Sequence, residues 1–256
     1  MTDNSHASEQ AADDAKAKFR HEAVEFVRFI LGAAVVFYLI TTVFFRTFYI
    51  PSGSMVPTLE VEDRVIVLNF AYGWSRHSLQ FGLGGYLPEG DGRILGRMPK
   101  RGHVVVFRNP SRREHLIKRV IGLPGDVIET RDGRLYVNNE LVPRDFRERL
   151  SYRTHEGVVT TVDRYDETLP GGVTHAIYEE SDQGSYDDRG PYLVPPGHIF
   201  VMGDNRDRSA DSRAPSLGPV PTEYLVGRAV TVLFTFHNCR PEPNLECPTG
   251  RLWRGL

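Results

Sequence analysis

Ile50-Pro51-Ser52-Gly53-Ser54-Met55-Val56-Pro57 divides the chain into two kinds of sequence. Before it the pattern is helical from Phe19 and leads into the uncharged apolar run Phe29–Phe45. After it apolar residues come in short β-branched runs, starting with Asp63-Arg-Val-Ile-Val-Leu-Asn-Phe70. Pro51 and Pro57 lack backbone donors and fix φ, so the segment between them runs extended or turned. Gly53 lets the backbone approach a ligand or another strand closely. A hydroxyl held on such a turn makes Ser54 a candidate nucleophile, although Pro-Ser-Gly-Ser is also ordinary loop chemistry.

Working towards the N-terminus, Phe29–Phe45 is seventeen residues without a charge, bracketed by Arg28 and Arg46 and flanked by Phe26, Phe48 and Tyr49. That is enough to span a bilayer core as a helix. A cleaved secretory signal has a shorter apolar core and a small-residue exit, whereas this run leaves through Phe-Phe-Arg-Thr-Phe-Tyr. A buried helix of a soluble domain would carry a polar face, and this run has none. Lys16, Lys18, Arg20 and Arg28 precede it against Arg46 and Arg64 behind, so the positive-inside bias favours a cytoplasmic N-terminus. Residues 1 to about 18 hold almost nothing apolar and are expected to stay mobile. Ser54 lies nine residues beyond Phe45, which at roughly 3.3 Å per extended residue keeps it within about 30 Å of the membrane face.

Working towards the C-terminus, alternation is the rule and the fold is expected to be mainly β. Gly102–Pro110 and Leu116–Gly122 read as paired strands, and Gly125–Val142 as a meander turning at Asp132-Gly133 and Asn138-Asn139. His198–Asn205 returns as a strand ending in a turn, and Leu225–Phe236 is the last long strand. Residues 71–100, with Tyr72, Trp74, Phe81, Tyr86 and Leu87 among glycines, read as a long loop over a core edge or as an aromatic loop touching lipid headgroups. Residues 143–196 are polar and dotted with Gly and Pro, a second lobe of hairpins in which no chemistry is visible.

Composition narrows the function. A formal net charge of −2 over 256 residues gives no basic footprint for nucleic acid. Two cysteines, Cys239 and Cys247, exclude a disulfide scaffold, and no ligand spacing for zinc surrounds them. In an extracytoplasmic domain they are expected to be oxidised. No metal or cofactor is expected.

Two further segments bear on Ser54: His115-Leu-Ile-Lys118-Arg-Val-Ile-Gly-Leu-Pro-Gly-Asp126 and Gly203-Asp-Asn-Arg-Asp-Arg-Ser209-Ala-Asp-Ser-Arg213. A serine needs a base to become a useful nucleophile, and no His-Asp pair or Gly-x-Ser-x-Gly stands in a hydrolase setting. Lys118 sits among Leu116, Ile117, Val120 and Ile121, where burial would lower its pKa; a snorkelling surface lysine is the alternative reading. His115 is the rival base, and since 115 and 118 face opposite ways in a strand, only one of them can meet Ser54.

Taken together and in this order, the three segments resemble bacterial type I signal peptidases, membrane-bound serine proteases with a lysine base, from about Tyr49 to Phe236. The resemblance selects Lys118 as base and Ser54 as nucleophile. It assigns the oxyanion to the Ser54 N–H and the Ser52 hydroxyl, and the placing of Lys118 to Ser209. Asp211 and Arg213 become a supporting pair, Asp204 caps the turn, and Ile50 and Met55 line shallow pockets for small residues at −1 and −3. It implies a signal-peptidase-type β domain: tail 1–25, partly disordered; transmembrane helix 26–48; core 49–142 and 197–238; inserted lobe 143–196; C-terminal tail 239–256. The implied partners are preproteins bearing signal peptides and the bilayer, the implied site the outer side of the bacterial inner membrane. His103, Arg208 and Ala214-Pro-Ser-Leu depart from the family pattern. A Ser-Lys peptidase serving one secretion system keeps the same chemistry. Self-cleaving repressors carry a DNA-binding domain where this chain has its apolar run, and a non-enzymatic tethered β domain would not need Ser54 or Lys118.

Overall fold

The computed structural model describes residues 3–78, 83–86, 93–112, 114–236 and 242–256. Helix α1 covers Asp3–Phe44, and Lys18–Thr41 within it is long and apolar enough to cross a membrane. One expectation is corrected here. The helix ends at Phe44 rather than at 48: Phe45–Tyr49 forms strand β1, aromatic and β-branched sequence that pairs antiparallel with the next strand.

Residues Phe44–Leu256 make one compact unit. Its strands are β2 (Asp63–Leu68), β3 (Val104–Arg108), β4 (His115–Gly122), β5 (Val127–Arg131), β6 (Arg134–Val137), β7 (Glu140–Leu141) and β8 (Arg144–Arg153). There follow β9 (Val159–Leu169), β10 (Val173–Glu179), β11 (Arg189–Leu193), β12 (His198–Met202), β13 (Val220–Pro221), β14 (Leu225–Thr235) and β15 (Arg254–Gly255). The largest sheet runs β1-β2-β14-β3-β4-β12-β13, with β15 added to β14.

The continuous valine run of β3 has a simple origin: both faces are covered. Val104 and Val106 pack with Ile50, Met55, Val65 and Ile117 on one side, Val105 and Phe107 with Val120, Val201 and Leu225 on the other. Each such side chain contributes roughly 1.5–3 kcal/mol of burial. The meander turns as its sequence predicts, with positive φ at Asp132, Gly133, Asn138 and Asn139.

The expected division into core and lobe changes. β5, β6 and β7 leave the main sheet and take β11 as a fourth strand. What is inserted is the three-stranded sheet β8-β9-β10. Leu169 and Val194 share a core with Ile121, Ile128 and Phe200, so burial draws the insertion into the same unit. The loop after β2 divides likewise: Tyr72 is in the core, Tyr86 is exposed, and Phe81 and Leu87 lie outside the described residues. Cys247 is disulfide-bonded, while Cys239 lies outside the described residues.

The C-terminal segment is anchored as well. Arg251 and Asp63 form an ion pair with 0% side-chain exposure on both partners, and Arg251 Nη2 also donates to the Thr58 carbonyl at 3.1 Å. Removing one partner strands a buried charge. Arg251→Met is therefore expected to destabilise the domain by about 3–5 kcal/mol in urea unfolding, whereas nearby exposed Arg254 should tolerate the same change within about 0.5 kcal/mol.

Candidate active site

Ser54 lies in a single turn of 3₁₀ helix, Gly53–Met55, between extended residues 52 and 56. Lys118 is the fourth residue of β4, 3% exposed, with Nζ 2.6 Å from Ser54 Oγ and 3.0 Å from the Ile117 carbonyl. As an ammonium, Nζ donates to both. As a free amine its lone pair can take the Ser54 proton along the same line. Burial is the main force on Lys118 and brings its pKa down to about 8, against the opposing pull of Asp211 and Asp204. His115 is on the opposite face, its ring edge-on to Phe48 at 5.4 Å. Of the two, only Lys118 meets Ser54, as alternation along a strand requires.

Ser52 Oγ is 3.5 Å from Ser54 Oγ, so the two hydroxyls share a face. Asp211 receives Arg213 Nε at 2.9 Å and Nη2 at 3.0 Å, the Arg213 N–H at 3.2 Å and the Gly203 N–H at 2.9 Å. Burial alone would raise the Asp211 carboxyl; Arg213 and these donors outweigh it and hold it low. Asp204, expected to cap a turn, instead binds Arg119 through both oxygens, at 2.8 and 2.7 Å. Arg119, the residue after Lys118 in β4, makes a buried ion pair with Asp204 at the end of β4 that β12 covers.

Two expected roles are not met by contacts. Ser209 Oγ is buried and makes no hydrogen bond to Lys118. The Ile117 carbonyl takes the second place on the amine, and Ser209 lies close enough to Asp211 to help hold its pKa down. Ile50 and Met55 are 1% and 0% exposed and belong to the core. The cavity that Ser54 lines is edged instead by Ser52, Gly53, Val56 and polar residues of the β8 end.

The structure adds residues that carry no role in the sequence reading. Asn205 is fully buried. Its N–H donates to the Ser54 carbonyl at 3.2 Å, and its Nδ2 to the Gly53 carbonyl at 3.1 Å and to the Tyr152 hydroxyl at 3.0 Å. Gly203 passes so close that a Cβ there would stand 2.4 Å from the Ser54 carbonyl. Both sit in the quoted 203–213 segment, where position alone was the available signal. Tyr152 lies in the stretch in which no chemistry was visible. Of the departures from the family pattern, His103 Nδ1 bonds the Tyr72 hydroxyl at 2.8 Å, and Arg208 pairs with Glu180.

A buried serine and lysine in contact on a mainly β scaffold are an arrangement that a serine hydrolase without a catalytic histidine can use. The comparisons give the family. A family model described as signal peptidase, peptidase S26, matches residues 23–234. Signal peptidase I of Rickettsia typhi is 37% identical over 195 residues, 73% of this chain and 71% of that protein. Signal peptidase I of Pseudomonas aeruginosa is 39% identical over 209 residues, 78% and 66% of the two chains. The crystal structure of a signal peptidase I from Enterococcus faecalis is 30% identical, covers 52% of this chain and 97% of its own, and superposes with a TM-score of 0.31. The chain belongs to the signal peptidase family and is a serine endopeptidase.

Proposed function

We propose that the protein removes N-terminal signal peptides from secreted preproteins, with Ser54 as nucleophile and Lys118 as general base. The observation that carries this reading is the 2.6 Å contact between a buried lysine amine and a buried serine hydroxyl. Ser54 Oγ attacks the scissile carbonyl while Lys118 Nζ takes its proton. The oxyanion is met by the Ser54 N–H and the Ser52 hydroxyl, a kind of donor worth about 2.7–4 kcal/mol of barrier each. The lysine then gives its proton to the leaving amine, and water, deprotonated by the same amine, hydrolyses the ester.

The substrate strand docks on β4. β12 pairs with β4 only from Arg119 onward, so His115–Lys118 have β3 on one side and an open edge on the other among the described residues. An extended peptide can add there by main-chain bonds, with small residues at −1 and −3 nearest the buried wall. Asp211, Arg213, Asp204 and Ser209 hold the floor under the lysine. α1 anchors the chain in the bacterial inner membrane with the N-terminus cytoplasmic, and the exposed rings of Phe45, Tyr49, Phe70 and Phe236 suit contact with lipid.

Because the amine must be free to act, cleavage of a purified preprotein should rise about tenfold per pH unit below Lys118's pKa of about 8 and level off above it. Absence of cleavage, or a flat profile from about pH 6 to 9, would refute the assignment in favour of a non-enzymatic tethered domain or another base.

A further inference from the structure

The cavity beside Ser54 has the wrong chemistry for a small apolar side chain. It measures about 160 Å³, and Tyr152, Arg153, Arg208, Glu60 and Glu156 stand in its wall with Ser54. Lys118 reaches Ser54 from β4, which contributes nothing to that wall. A peptide laid along the open His115–Lys118 edge meets Ser54 where that edge ends. The cavity opens beside Ser54 and takes no wall residue from β4, which leaves it free for the segment beyond the cut.

Two wall residues are set to bind it. The Tyr152 oxygen already accepts from Asn205 Nδ2 at 3.0 Å, which frees its O–H to donate. Burial raises the Tyr152 pKa, with Asn205 opposing it, so the donor proton is retained. Asn205 also binds the Gly53 and Ser54 carbonyls, which fixes the phenol relative to the nucleophile. Arg208 donates Nε to Glu180 and Nη2 to Thr160 Oγ1, the latter at 2.7 Å. The side chains of the Arg208–Glu180 pair are 35% and 29% exposed. Such a pair is weak, and an incoming carboxylate can share or displace it. Of the other charged groups of the wall, Arg153 is bound through Nε and Nη2 to Glu242. Glu156 stays ionised, hydrogen bonds to its own backbone and Thr154 holding its pKa low, so it competes with an incoming carboxylate for Arg208, and Glu60 is raised by burial to about 7.

We propose that this cavity receives the first residues released on the mature side of the cut, with the Tyr152 hydroxyl donating to their backbone and Arg208 favouring an acidic side chain at the first or second position. The inference rests on the peptidase reading of Ser54 and Lys118 and extends it to the leaving side.

The test uses the purified full-length protein in detergent and a preprotein carrying Glu, Gln or Lys at the first or at the second residue after the cut. At one of these positions Glu should be cleaved about fivefold better than Lys in kcat/KM, the scale of one partly exposed ion pair. Arg208→Glu should reverse that order, and Tyr152→Phe should lower kcat/KM for the whole set without changing it. If Arg208→Glu does not fold, Arg208→Gln replaces it and should flatten the series. An order that survives either Arg208 variant overturns the role of Arg208, and a folded Tyr152→Phe with wild-type kcat/KM overturns that of Tyr152. Failure of the unsubstituted protein to cut any member would instead sink the peptidase reading itself.

Discussion

Replacing Lys118 by Met should abolish preprotein cleavage, by a factor on the order of 10³ or more, while making the domain more stable at neutral pH. The loss follows from the single contact Nζ makes with Ser54 Oγ at 2.6 Å; no other base approaches that hydroxyl among the described residues. Ser54→Ala should lose a similar factor, and the double substitution should be no worse than either alone, because the two groups act as a unit. The gain in stability has the opposite sign from most core substitutions. Lys118 has its pKa lowered from an ordinary 10.5 to about 8, so the unfolded chain binds its proton more tightly than the folded one. Below about pH 8 the full cost of that difference, about 3 kcal/mol, is present. It fades as pH rises from about 8 to 10.5, and the neutral Met variant never carries it. Thermal unfolding at pH 6 and pH 10 should show a clear excess of stability for Lys118→Met at the lower pH and little at the higher. Equal stability at both would mean that the amine is not desolvated.

Gly203→Ala should cost at least about a hundredfold in kcat/KM and about 2–4 kcal/mol of stability, from a single added methyl group. A Cβ there would stand 2.2 Å from Ser209 Oγ and 2.4 Å from the Ser54 carbonyl, so something must move. The serine hydroxyl could rotate away, but Ser209 Cβ at 2.5 Å stays in place, and so does the carbonyl, because it also accepts the Asn205 N–H at 3.2 Å and belongs to the nucleophile's own turn. Adding Ser209→Gly, which removes both Ser209 contacts, should therefore recover some stability but little activity. Recovery of both would show that Ser209, and not the backbone of Ser54, is the constraint. Measured kcat/KM and urea midpoints for the two variants decide between these outcomes.

Local chemistry made much of this protein legible. The apolar run before Arg46 declared a helix, and the β-branched runs of β2, β3, β4 and β14 declared strands, because side-chain periodicity is a property of consecutive residues. Asp132-Gly133 and Asn138-Asn139 named their own turns by requiring positive φ. Ser54 was a candidate on its own turn, but its pairing with Lys118, seen at 2.6 Å, was legible only through the resemblance of three separated segments. Nothing within β4 itself separates a buried amine from a snorkelling one.

Long-range packing decided the rest. Phe45–Tyr49 left the helix because β2 offers it a ladder, and Asp63 is tolerated with no exposure only because Arg251 arrives from 188 residues away. Ser209 and Met55 took places other than those expected, since contact with an amine or a pocket is settled at the ångström scale by neighbours distant in sequence. Phe45–Tyr49 apart, the order of residues fixed which segments are helix and which are strand. Whether Lys118 loses its proton, and what stands across from it, depended on how tightly those strands close around one hydroxyl and exclude water.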